Sequence, residues 1–147
     1  MRLGRTEGWA AVGMLLLRLA VGIVLAAHGW QKFHDMGVSN VAGFFGSIGI
    51  PAPGIMAWVV TLIELVGGVA LILGLFTRIV TPLVAATMVV AILTVKKSIG
   101  LIGAEGPGYE LDLLILGAAL ALFFAGPGII SLDRFLPVGP DSDAATR

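Results

Sequence analysis

The chain has no cysteine, and only 12% of its 147 residues are charged. Without cysteine it offers no disulfide, thiol nucleophile, iron–sulfur ligand set or thiolate zinc site, so any redox chemistry runs through a cofactor or a partner. Charge at about half the ordinary share of ~25% leaves too few ionised side chains to solvate a compact globule, which argues against a soluble enzyme. An excess of one sign is missing as well. Nine basic and nine acidic residues cancel, which removes the basic footprint that nucleic-acid binding requires. What fills the chain instead is apolar: 58% by side chain, and roughly 72% once the 21 glycines are added, against a usual ~45–50%. That content excludes disorder. The composition is that of a small polytopic membrane protein.

A bilayer core about 30 Å thick takes on the order of 20 mainly apolar residues per helix. Four segments approach that length, at about 9–30, 55–76, 79–98 and 109–126. The second carries Glu64, and the third is uncharged until Lys96 and Lys97. The fourth opens on Glu110 and Asp112, where acids suit the positive end of the helix dipole, and Gly126, Pro127 and Gly128 break it. Arg18 interrupts the first run, whose length and charge suit a retained span better than a cleaved signal peptide. Between spans one and two, Val38, Val41, Phe45 and Ile48 recur at helical spacing, with Ser39, Asn40, Gly43 and Ser47 on other faces. This predicts a short helix in the outer interface, ended by Pro51 and Pro53, with an irregular loop as the alternative. The expected fold class is all-α: one four-transmembrane-helix bundle over residues 1–136, followed by a flexible polar tail at 137–147. An even number of spans puts both termini on one side. Arg2, Arg5, Arg78, Arg134 and Arg147 against Lys32, Lys96 and Lys97 make that side the cytoplasm.

In so apolar a chain the informative residues are the charges inside it. Arg18 falls eight or nine residues into the first span, ~13 Å from its inner end at ~1.5 Å per residue, and Glu64 lies at a comparable depth in the second. An unpaired arginine there costs ~2.5–3.5 kcal/mol on insertion scales, which predicts an Arg18–Glu64 pair serving either helix register or function. A second group lies at the outer ends. Arg18, Gly22, Leu25, Gly29 and Lys32 share a stripe of the first helix with His28 beside it, while Glu110 and Asp112 enter from the fourth. A cluster of His28, Gln31, Lys32, Glu110 and Asp112 is therefore expected in the outer third; the plainer alternative is polar groups meeting water or lipid headgroups. As a site, its acids would accept protons beside a ring-shaped ligand, with His28 able to titrate near neutrality. His28 and His34, six residues apart, cannot serve both axial positions of one haem. A metal site of His28, Glu110 and Asp112 has no diagnostic spacing, and no metal is expected. Gly22, Gly29, Gly67, Gly68 and Gly74 suit close helix approach, and Pro82 is expected in the first turn of the third span, where its missing N–H does little harm.

These residues fall into ordered motifs. Leu-Leu-Leu-Arg-Leu-Ala-Val-Gly from Leu15 to Gly22 and His-Gly-Trp-Gln-Lys-Phe from His28 to Phe33 resemble the opening signature of the DoxX family of bacterial membrane proteins. Gly-Ile-Pro at Gly49–Pro51, Glu-Leu-Val-Gly-Gly at Glu64–Gly68 and Leu-Gly-Leu-Phe-Thr-Arg at Leu73–Arg78 are similar to its second block. Glu110 and the Gly-Pro-Gly and Ser-Leu-Asp between Gly126 and Asp133 resemble its closing block. The match runs from about Met14 to Phe135.

The resemblance implies a four-helix bundle in the bacterial plasma (inner) membrane, linked in some relatives to redox work. One branch resembles the small membrane subunit of a thiosulfate:quinone oxidoreductase; another is associated with oxidative-stress complexes holding superoxide dismutase and a sulfurtransferase. The family's recurrent polar positions carry over to Arg18, His28, Lys32, Glu64, Arg78 and Glu110. The expectation is a membrane subunit or anchor of a redox complex, with quinone as the candidate cofactor. Its expected partners are the lipid bilayer, a soluble or peripheral redox protein and a second copy of the chain. The rivals are a non-catalytic scaffold and a small-solute carrier, the latter lacking the repeated architecture usual in carriers.

Overall fold

The computed structural model describes residues 3–128 and 130–136, with side chains from Gly8 onward, and all regular structure among the described residues is helical. The tail expected at 137–147 lies outside the described residues. Helix α1 (Leu3–Trp30) continues without a break into a π-helical segment, Gln31–Gly37, and Gly37 at φ +77° redirects the chain into α2 (Val38–Ser47). After a turn come α3 (Pro53–Leu73), α4 (Thr77–Val90) with a π-helical extension at Ala91–Val95, α5 (Glu110–Ala125) and a 3-10 turn at Leu132–Phe135. Among the described residues, three stretches, Gly8–Ser47, Pro53–Leu73 and Thr77–Val95, are long and apolar enough to cross a membrane. Helix α5 has 16 residues.

The punctuation follows local chemistry. Pro53 starts α3, where its lost N–H is one of the unpaired donors in any case. Gly74 ends α3 at φ +70°, and a Schellman pair closes the helix: Leu75 N–H donates to the Ala70 carbonyl (2.8 Å) and Gly74 N–H to that of Leu71 (3.1 Å). Because α4 begins at Thr77, Pro82 stands inside it rather than in its first turn, and the helix lacks one backbone hydrogen bond there. Two α4 threonines turn their hydroxyls back on the helix, Thr81 to the Thr77 carbonyl (2.8 Å) and Thr87 to that of Leu83 (2.9 Å).

The most extensive contact joins α1 to α3, and glycine makes it possible. A Cβ on Gly29 would strike the Leu65 backbone, and one on Gly68 the backbone of Ala26, so these helices meet main chain to main chain. Helices α4 and α5 form the other large contact, and one apolar core runs through all four long helices from Val21 and Leu25 to Leu71, Val84, Met88 and Ile115. The short helix foreseen between the first two spans is present. Val38, Val41 and Phe45 of its stripe pack over Ala57 of α3, while Ile48 turns outward. Leucine, isoleucine, valine and phenylalanine dominate the outward faces of the long helices, an exterior that water would not tolerate at this extent.

Candidate functional site

The antiparallel register of α1 and α3 decides where the charges go. With Gly29 against Leu65 and Gly22 against Gly68 and Ile72, Arg18 falls level with Gly74 at the far end of α3, not with Glu64. The expected Arg18–Glu64 pair does not form. Helix α1 begins at Leu3 and runs past the ends of its neighbours, so a depth counted from the start of the apolar run misplaces Arg18 by several turns. Its guanidinium, 2% exposed, donates instead to the carbonyls of Pro127 (2.5 Å) and Ile130 (2.6 Å). At the same end the Asp133 carboxylate accepts from the N–H groups of Phe76 (2.5 Å) and Thr77 (3.0 Å), capping α4. Asp133 N–H in turn donates to the Gly74 carbonyl (2.9 Å). Arginine and aspartate here hold backbone, which is structural work.

The opposite end is built differently. Lys32 lies in the first π-helical segment, and its ammonium donates to the buried carboxylate of Glu64 on α3. Lys96 comes directly after the second π-helical segment, its own N–H closing the wide turn on the Ala91 carbonyl (3.1 Å), and its ammonium donates to Asp112 on α5 (2.6 Å). Side chains of a helix lean toward its N-terminus, so both lysines, at the tops of helices running the same way, reach down into the bundle. π turns recur at functional sites because they re-aim side chains locally.

Both pairs line one cavity of about 230 Å³. Its walls are Leu25, Val41, Phe45, Met88, Ile115 and other apolar side chains, with His28 and Thr87 among the polar ones. Such a space, apolar with a few convergent polar groups, is the ordinary form of a small-molecule site. Two ammonium groups can donate to acceptor oxygens of a ligand, and two carboxylates beside them can hold protons.

Of the residues singled out in the sequence, His28, Lys32, Glu64 and Asp112 meet around this cavity. Arg18 is at the other end, and Gln31 is exposed. Glu110 stands apart from the cavity beside Gly108, with its Oε2 buried and without a hydrogen-bond partner among the described residues. His28, Glu110 and Asp112 therefore do not converge as metal ligands, and no group of three such residues does so among the described residues. Lys96 is the residue that sequence reasoning missed. The available signal was its place at the top of one helix with Asp112 at the start of the next, since antiparallel neighbours bring such ends together.

Residues 13–97 match the model of the DoxX family. The chain belongs to the DoxX family. The matched stretch holds Arg18, His28, Lys32, Glu64 and Lys96 and stops before α5. The protein named "Putative oxidoreductase CatD" of Bacillus subtilis is 42% identical over 125 residues, covering 85% of this chain and 87% of its own. A membrane protein of Mycobacterium tuberculosis is 35% identical, covering 92% of this chain and 86% of its own. The inner membrane protein YqjF of Escherichia coli is 31% identical, covering 85% and 92%. No solved structure matches. With its apolar helices, this DoxX-family chain is a membrane protein.

Proposed function

We propose that this DoxX-family protein is a four-span subunit of the bacterial plasma membrane that takes a quinone in its cavity and serves a peripheral redox partner. The observation that carries the reading is the pair of lysine–carboxylate bridges lining one apolar-walled cavity, Lys32–Glu64 and Lys96–Asp112. The residues fit such a cofactor. Lys32, Lys96 and His28 would hold the carbonyl oxygens, the apolar walls would hold the ring, and Glu64 and Asp112 would hold protons at their carboxylate oxygens. A bound quinone supplies two-electron, two-proton exchange, which a chain without cysteine cannot perform alone. The name of the Bacillus subtilis relative supports a redox setting.

The membrane placement is part of the same proposal. Helix α3, with 21 residues, rises ~32 Å, about the thickness of the hydrocarbon core. Trp30, Phe33 and Trp58 gather at the lysine end as an interfacial aromatic belt would. Helix α5, packed along α4, is the fourth crossing, in one membrane domain over 1–136. Lys32 and Lys96 are engaged with carboxylates inside the bundle, so the exposed cation of that end among the described residues is Lys97, against Arg78 and Arg134, both exposed at the opposite end. That contrast favours a cytoplasmic Arg18 end and cytoplasmic termini.

The test is quinone retention in lipid nanodiscs. Native protein is expected to hold ubiquinone, and the double variant Glu64→Gln with Asp112→Asn to bind it at least tenfold more weakly while still folding and inserting. Equal retention by both proteins overturns the proposal and leaves the scaffold reading, in which the polar residues serve packing alone.

A further inference from the structure

We infer that the cavity is loaded sideways, from the bilayer leaflet at the lysine end, through the gap between α2 and the α4–α5 pair, by a lipid-dissolved molecule with an uncharged, oxygen-bearing head. The inference rests on the reading of the cavity as a ligand site and adds its route and the charge class of its ligand. Helix α2 supplies one wall, with Val41, Phe44 and Phe45, yet it packs on α3 and shares no substantial contact with α4 or α5, which supply the facing wall. Among the described residues no helix–helix packing closes that side of the cavity. Its rim is apolar and open: Phe44 on one lip is 46% exposed, and Val90 and Leu111 on the other are 43% and 38% exposed. Glu64 lies six residues beyond Trp58 along α3, ~9 Å below that residue and level with Trp30 of α1. The apolar lips suit hydrocarbon, and Thr94, the exposed polar residue on the α4 side of the cavity, turns its hydroxyl back on the Val90 carbonyl (2.6 Å), which leaves a water-soluble ligand little to guide it.

The charge class follows from the bridges. Each ammonium in the cavity wall is matched by its own carboxylate, so the wall has no net charge for an anion to gain from, while burial would strip the anion of its water. A neutral carbonyl or hydroxyl oxygen takes a lysine N–H without that loss.

The cysteine-free chain permits a clean test. Phe44→Cys with Val90→Cys is joined across the gap by a cleavable bifunctional thiol reagent in nanodiscs, and uptake of long-chain ubiquinone from donor vesicles is timed by extraction. Relative to the same double variant before cross-linking, uptake is expected to fall at least tenfold after it and to return when the link is cleaved. A cross-linked protein that loads as fast as the unlinked variant overturns the lateral route, with the cavity reading intact. A palmitate probe of similar tail is expected to be retained at least tenfold less than ubiquinone, and equal retention overturns the uncharged-head assignment. If native protein takes up neither probe, the cavity reading itself fails and this inference with it.

Discussion

The two ends of the bundle use buried charge in opposite ways. At one end Arg18 and Asp133 are bound to main-chain groups: carbonyls of Pro127 and Ile130, and N–H groups of Phe76 and Thr77. At the other, Lys32, Glu64, Lys96 and Asp112 are bound to one another around a void. Backbone partners cannot be substituted away, so the first arrangement is fixed by the fold. Side-chain partners can exchange for a ligand, so the second leaves chemistry available. Burial of a charge within a membrane protein therefore says little about function until its partner is known.

Three substitutions break or sharpen this contrast. Arg18→Leu is expected to have the largest effect, because two carbonyls lose their donor at ~1–3 kcal/mol each; a loss of about 4 kcal/mol should appear as a lower unfolding midpoint in detergent. No second side-chain replacement should rescue it. Lys32→Met strands the buried Glu64 carboxylate and is expected to cost about 3 kcal/mol, but adding Glu64→Leu should bring stability to within about 1 kcal/mol of native while ligand retention is lost. A double variant as unstable as the single one would erase the distinction between the two ends. Asp133→Ala removes the α4 cap together with a carboxylate that faces the Arg18 charge and should cost about 1–2 kcal/mol in the same melt, with ligand retention unchanged.

Much of the fold was legible because bilayer thickness and glycine chemistry act on the sequence directly. The four apolar runs at 9–30, 55–76, 79–98 and 109–126 fall on α1, α3, α4 with its π extension, and α5, each boundary within a few residues except the early start of α1. Gly22, Gly29 and Gly68 do what their small size suggested. The Arg18 partner was illegible because hydrophobicity marks that a helix crosses, not how far it slides against its neighbour; the slide is set where Gly29 admits the Leu65 backbone. Lys32 was expected in an outer cluster with His28, Gln31, Glu110 and Asp112; its pairing with Glu64 was not foreseen and results from the same slide. Lys96 was hidden by the π turn, since a 3.6-residue period carries no sign of where one wide turn rotates the next side chains onto a new face.

The Arg18 clasp also orders events in time. Its acceptors lie 109 and 112 residues further along the chain, so the first helix enters the bilayer on the order of ten seconds before the carbonyls that will satisfy its arginine have been synthesised. Until then the guanidinium at the end of the bundle must be served by water or lipid headgroups, so the clasp closes only after α5 and the turn that follows it have been made.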